Sequence, residues 1–180
     1  MANNGARIGI MALAVSALGF VGIVSQEGYT TTAIRPVPND PPTNGFGSTT
    51  GDDGEPLKLG DKTDPVRAVR RAVGDLNLKE KAFKRCLGPD VVLHQYEYDA
   101  YADLLYNVGE GNVCKSSIIP KLRAGRYADA CNTILDFRKV QGRDCSAPEW
   151  RSFCGGVWTR RQEIARLCLT GEYPAKWIGR

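Results

Sequence analysis

Four prolines in seven positions, Pro36, Pro38, Pro41 and Pro42, set the first limit on this chain, because no helix passes through them. They sit in a stretch, residues 27–64, that is rich in Gly, Pro, Thr and Asp and poor in apolar side chains. The segment PVPNDPPTNGFGSTTGDDG reads as loops, turns and short strands. Its composition is equally that of a disordered linker.

After Asp64 the pattern turns helical. Asp64 suits an N-cap and Pro65 a first helical position. Val66, Val69, Ala72 and Val73 then recur at helical spacing, with Arg67, Arg70 and Arg71 between them. Residues 76–87 read as a second helix, closed by Gly88 and Pro89. A third covers 96–108, with Tyr98, Tyr101, Leu104 and Leu105 as its apolar side. Shorter helices are expected over 116–122, stopped by Gly125, and over 127–137, which carries Ala130, Cys131, Ile134 and Leu135. The last runs over 147–169, with Trp150, Phe153, Val157, Ile164 and Leu167 inward and Gly171 ending it. The chain therefore predicts an α+β, predominantly helical fold, with a small loop/β lobe and a larger helical lobe. A cleft between such lobes is the natural place for a ligand. No internal repeat is visible.

Residues 8–24, IGIMALAVSALGFVGIV, form an uncharged run after Arg7. Gly9, Gly19, Gly22, Ala12, Ala14, Ala17 and Ser16 dilute its hydrophobicity. As a helix it would reach roughly 25 Å, the lower limit for crossing a bilayer. Three roles fit: a cleaved signal peptide, a permanent anchor, or a signal anchor that inserts and later leaves the membrane. A buried core helix fits as well, since a helix leaving the membrane must pack somewhere. Glu27, directly after the run, favours the releasing anchor, because cleavage there would strip the helix that holds it. The mean hydropathy of −0.30 excludes a multi-span membrane protein.

The six cysteines, Cys86, Cys114, Cys131, Cys145, Cys154 and Cys168, have no paired CxxC spacing, and His94 is the single histidine. A zinc site is not expected. In an exported chain an even count points to at least one disulfide, with the pairing left open. The net charge of +4 would favour contact with an anionic polymer and is also an ordinary solubility charge. No Lys/Arg cluster with interleaved aromatics indicates nucleic-acid binding. The acids Asp52, Asp53, Glu55 and Asp61 lack the spacing of a calcium loop. His94 reads as structural or exposed, Arg160 and Arg161 as packing or surface pairs, and Trp177 as part of a tail.

Several short motifs, in order, resemble the phage lysozymes of glycoside hydrolase family 24. They are Glu27-Gly28, then Gly45-Phe46-Gly47-Ser48-Thr49, then Tyr106-Asn107-Val108-Gly109-Glu110-Gly111-Asn112. Ser116, Ser117 and Lys121-Leu122-Arg123-Ala124-Gly125 follow, and then Trp158-Thr159-Arg160-Arg161-Gln162-Glu163 before Cys168. The N-terminus resembles that of the signal-anchor-release branch. The resemblance implies a lysozyme-like fold: a signal-anchor-release helix over 1–26, a catalytic domain over 27–174 (small lobe 27–64, helical lobe 65–174) and a tail over 175–180. It implies a monomer without cofactor or metal that acts on peptidoglycan glycan strands. Such a protein is held first at the periplasmic face of the host inner membrane and then released to the periplasm. The anchor has no cysteine, so activation would come from relocation of residues 8–24 without a thiol switch.

Cleaving a glycosidic bond needs an acid on the leaving oxygen and, usually, a second carboxylate. The resemblance makes Glu27 the acid. The family pattern, Glu, eight residues, Asp, five residues, Thr, is not fully kept here. Pro36 stands where the Asp is expected, and Thr43 fits the Thr after a one-residue insertion. Asp40 is the nearest acid, as a second catalytic group or as an Asx-turn residue before Pro41. Thr43 would hold the attacking water, or serve as a turn or strand residue. Asn107 resembles a cleft residue that binds an acetamido group, and also suits a helix C-terminus. Without a second carboxylate, Glu27 alone would suit a lytic transglycosylase. A non-catalytic cell-wall binder on a decayed fold, or a periplasmic interaction protein with a proline linker, would also fit the missing Asp.

Overall fold

The computed structural model describes residues 5–35 and 40–179. Pro36 and Pro38 lie outside the described residues. By packing, the chain divides into one unit of Met1–Phe20 with Lys79–Arg180 and another of Val21–Leu78. Both divisions fall inside helices, α1 (Ala17–Glu27) and α2 (Pro65–Leu87).

Asp64 caps α2 as expected, its Oδ1 accepting the Arg67 amide at 2.9 Å. The two helices expected over 65–87 are one. Gly74 lowers helix propensity by about 1 kcal/mol relative to Ala, too little to break a helix buried along one stripe. That stripe is Ala68, Ala72, Leu76, Glu80, Phe83 and Leu87. Val66, Val69 and Val73, expected to face inward, are exposed. They lie off the buried stripe, which runs through Ala68, where the approach is close: a Cβ on Gly45 would lie 2.8 Å from the Ala68 Cβ.

In the first unit, β1 (Ile8–Gly9) pairs antiparallel with β4 (Val92–Leu93), Ile8 opposite Leu93. Ile10–Ala12 form a 3-10 turn. Residues 8–24 are thus a strand, a turn and the start of α1, rather than the single helix the run suggested. Buried carboxylates in this unit offer acceptors to the run's backbone N–H groups, and Ser16 caps α1. Among the described residues no helix is long and apolar enough to cross a membrane.

The centre of this unit is α3 (Gln95–Val108), whose Tyr98, Tyr101, Leu104 and Leu105 are buried as expected. The short α4 (Glu110–Cys114) was hidden inside the glycine-rich motif. Then come α5 (Ile118–Arg123), α6 (Tyr127–Thr133), and the hairpin of β5 (Lys139–Val140) and β6 (Arg143–Asp144). α7 (Arg151–Thr170) packs on α3 and ends on Gly171 in the left-handed conformation. It is kinked at Cys154, which breaks the register extrapolated from its C-terminal half. Phe153 therefore faces out, 50% exposed, and the Arg143 guanidinium lies 4.6 Å from its ring centre. Arg160 and Asp103 form a buried ion pair at 2.8 Å. Losing one partner of such a pair costs about 3–5 kcal/mol. Trp177 is not in a loose tail: Ala175–Trp177 form a 3-10 turn and its indole is 2% exposed.

All six cysteines are paired, Cys86–Cys114, Cys131–Cys168 and Cys145–Cys154. The separations are 37 residues for Cys131–Cys168 and 9 for Cys145–Cys154. Loop-closure entropy gives the longer loop about 4 kcal/mol and the shorter about 2.5 kcal/mol. Replacing Cys131 and Cys168 with Ala is expected to lower the urea midpoint more than replacing Cys145 and Cys154, measured by equilibrium unfolding.

Burial raises the phenol pKa of Tyr98, Tyr101 and Tyr173, and hydrogen bonds to Glu80 and Asp99 add to the rise for Tyr98 and Tyr173. A folded pKa above the unfolded value means stabilisation that is complete below about pH 10 and is lost above it. In an ultraviolet alkaline titration, these three tyrosines are expected to ionise only as the fold opens.

Candidate functional site

Glu27 is the last residue of α1, and Gly28 reverses the chain at φ +70°. The next residues form β2 (Thr30–Ile34), which pairs antiparallel with β3 (Thr43–Gly45). Thr30 faces Gly45 and Ile34 faces Thr43. β3 runs into the turn Gly45-Phe46-Gly47, with φ +63° at Gly45 and +85° at Gly47. This turn comes up against the acid: a Cβ built on Gly47 would stand 3.5 Å from Glu27 Oε2. The Phe46 ring packs on that of Tyr29, their centres 5.5 Å apart. Glu27 is half-buried.

The turn is held from α2. Asn44 is buried; its Nδ2 donates to the Asp61 carbonyl at 3.0 Å and its Oδ1 accepts from Arg71 Nη2 at 2.6 Å. Arg71 also donates to the Thr50 carbonyl at 3.0 Å and to Thr63 Oγ1 at 2.8 Å. Ser48 Oγ donates to Asp75 Oδ2 at 2.7 Å. Arg71, Asn44 and Asp75 did not stand out in the sequence. The available signal was charge complementarity between the acidic loop before Asp64 and the arginines after it.

Thr43 opens β3, half-buried, two residues before the turn that meets Glu27. Asp40 lies at a bend with its side chain exposed. Residues 36–39, including Pro36 at the position of the family's Asp, lie outside the described residues. Asn107 belongs to the other unit, at the exposed end of α3, and its Oδ1 accepts a short hydrogen bond from Arg161 Nη2. That acceptor is occupied within the protein. The acids of the 51–62 loop line a cavity of about 800 Å³ together with Lys58, Lys62, Arg67 and Arg71. Three of their carboxylates are engaged within the protein: Asp52 pairs with Arg67 of α2, Asp53 takes the Glu55 amide and Asp61 the Lys58 amide. Among the described residues no group of His, Cys, Asp and Glu could hold a metal ion. His94 stands at the N-cap of α3 in a capping box with Glu97.

The family model described as phage lysozyme matches residues 24–163. An endolysin of Bacillus phage B103 is 29% identical over 88% of this chain, which spans 55% of that protein's length. A SAR-endolysin of Pseudomonas phage phiKMV is 30% identical over 71% of this chain and 74% of its own. Among solved structures, an endolysin from Escherichia coli O157:H7 phage FAHEc1 has the same fold. It has a TM-score of 0.74 at 24% identity, covering 91% of this chain and 98% of that one. The active form of the P1 phage endolysin Lyz shares the fold at a TM-score of 0.70 and 19% identity, over 93% of this chain and 97% of that one. With its family motifs on a lysozyme-like fold, this chain belongs to the phage lysozyme family.

Proposed function

We propose that this protein is an endolysin. In this reading it is a muramidase that hydrolyses the β-1,4 bond between N-acetylmuramic acid and N-acetylglucosamine in peptidoglycan, and so lyses the host cell. The observation that carries the proposal is the placement of Glu27, half-buried at a helix end with its carboxylate against the Gly45–Gly47 turn. A carboxylic acid so fixed can deliver its proton to a glycosidic oxygen as the bond breaks. Thr43, on the strand leading into that turn, is the group proposed to orient the attacking water, with Asp40 as second carboxylate. Asn107 is proposed as a contact for the glycan.

Residues 1–26 are proposed as a signal anchor that holds the chain at the periplasmic face of the inner membrane and later releases it as a monomer. The SAR-endolysin names of two relatives support this, as does the weakly apolar composition of residues 8–24. In the structure described above, that run is folded into the protein, as a released anchor would be.

One observation favours a second route. Pro36 occupies the family's Asp position, so Glu27 acting alone would make the enzyme a lytic transglycosylase. Mass spectrometry of fragments from purified peptidoglycan separates the two. Hydrated muramic ends, absent with Glu27→Gln, are the expected result. Anhydro ends would establish the transglycosylase, and no fragments from folded wild type would leave a wall-binding protein. Asp40→Asn is expected to slow fragment release at least tenfold more than Asp52→Asn; equal rates would remove Asp40 from the chemistry.

Gly47→Ala should also be costly, because it puts a methyl beside the Glu27 carboxylate at a backbone angle only glycine adopts easily. A rate loss of about tenfold or more is expected, with the fold kept by circular dichroism.

A further inference from the structure

Asp99 has no task in the reaction proposed above, yet it is wholly buried and saturated with hydrogen bonds. Its Oδ1 accepts the Ser16 amide at 2.8 Å and Gln95 Nε2 at 2.9 Å. Its Oδ2 accepts the Ser16 hydroxyl at 2.5 Å and the Tyr173 hydroxyl at 2.6 Å. Ser16 is the residue before α1. Its Oγ accepts the Gly19 amide at 3.0 Å and its carbonyl the Phe20 amide at 2.8 Å. One serine hydroxyl thus caps the helix and, through its proton, ties the cap to Asp99. A Cβ on Gly19 would come within 2.7 Å of Asp99 Cγ and 2.9 Å of its Oδ1, so the first turn of α1 rests directly on the carboxylate.

The stretch before Ser16 is fixed as well. Arg7 meets Glu97 through two nitrogens at 2.7 and 3.1 Å. The Val15 amide donates to Glu80 at 2.8 Å, and the Leu13 and Ala14 carbonyls accept from Lys84 and Gln95. Asp99 is the only one of these carboxylates that grips the helix start itself.

We infer that Asp99 is a positioning residue for the reaction: it fixes the cap of the helix whose last residue is Glu27, and Ser16-x-x-Gly19 is the sequence it recognises. The inference rests on the proposed role of Glu27. The helix from Ala17 to Glu27 is about 15 Å long, so a tilt of roughly five degrees at the cap moves its far end by about 1 Å. A displacement of that size costs about a hundredfold in rate when it falls on a reacting group. The small residues of the run thus have a second use beyond diluting its hydrophobicity: they let the helix start seat on a buried acid.

The test uses the full released protein on purified peptidoglycan, with kcat, KM and the pH–rate profile measured for Asp99→Asn, Ser16→Ala, Ser16→Thr and the Asp99→Asn/Ser16→Ala pair. Asp99→Asn and Ser16→Ala are each expected to lower kcat by about tenfold to a hundredfold with KM nearly unchanged, and to move the pH–rate profile away from that of the wild type. The pair should be no slower than the slower single variant, and Ser16→Thr, which keeps the hydroxyl, should recover most of the rate. Folded variants with wild-type kcat and profile overturn the inference while Glu27 stands, as do two losses that multiply. If Asp99→Asn does not fold, the Ser16→Ala and Ser16→Thr comparison decides alone. A folded wild type without activity overturns the role of Glu27 and this inference together.

Discussion

Buried carboxylates must find donors. Asp99 and Asp103 are fully shielded from water, and Glu80 and Glu97 nearly so. An ionised carboxylate in such a place costs several kcal/mol unless hydrogen bonds replace its water. Asp103 is served by Arg160 from α7. Glu80, Glu97 and Asp99 draw on Arg7, Val15 and Ser16. The N-terminal run is therefore the solvent substitute for three acids of the helical unit. Its strand is set by pairing with β4, and its helix start by where Asp99 stands.

The smaller unit has its own single point of dependence. Arg71 reaches Asn44, Thr50 and Thr63, three places along a loop region with little apolar content. Leu57 is its most buried large side chain between β3 and α2. A planar guanidinium with fixed donors does here what a hydrophobic core does elsewhere. Asn44, which it holds, is next to Gly45, where the turn meeting Glu27 begins.

Much of this was legible in the sequence, for definite reasons. The cap at Asp64, the inward face of α3 and the stop at Gly171 are local effects, and local patterns carry them. The valines of α2 misled because the buried stripe runs instead through Ala68, Ala72 and Leu76, the first of them in close approach to Gly45. Phe153 misled because the kink at Cys154 changes the helical register. The run at 8–24 carries no trace of its fold because its partners are acids some sixty to ninety positions later in the chain. Glu27 was legible only by resemblance: its spacing pointed to no role, and its setting depends on a turn twenty residues away.

All three disulfides join residues between Cys86 and Cys168, within the unit that contains α3 and α7. None reaches the N-terminal run or the smaller unit. The covalent network is thus closed without α1, and no disulfide ties down residues 8–24. The start of α1 is held at Asp99 by hydrogen bonds instead, so reducing the disulfides removes no bond at that seat.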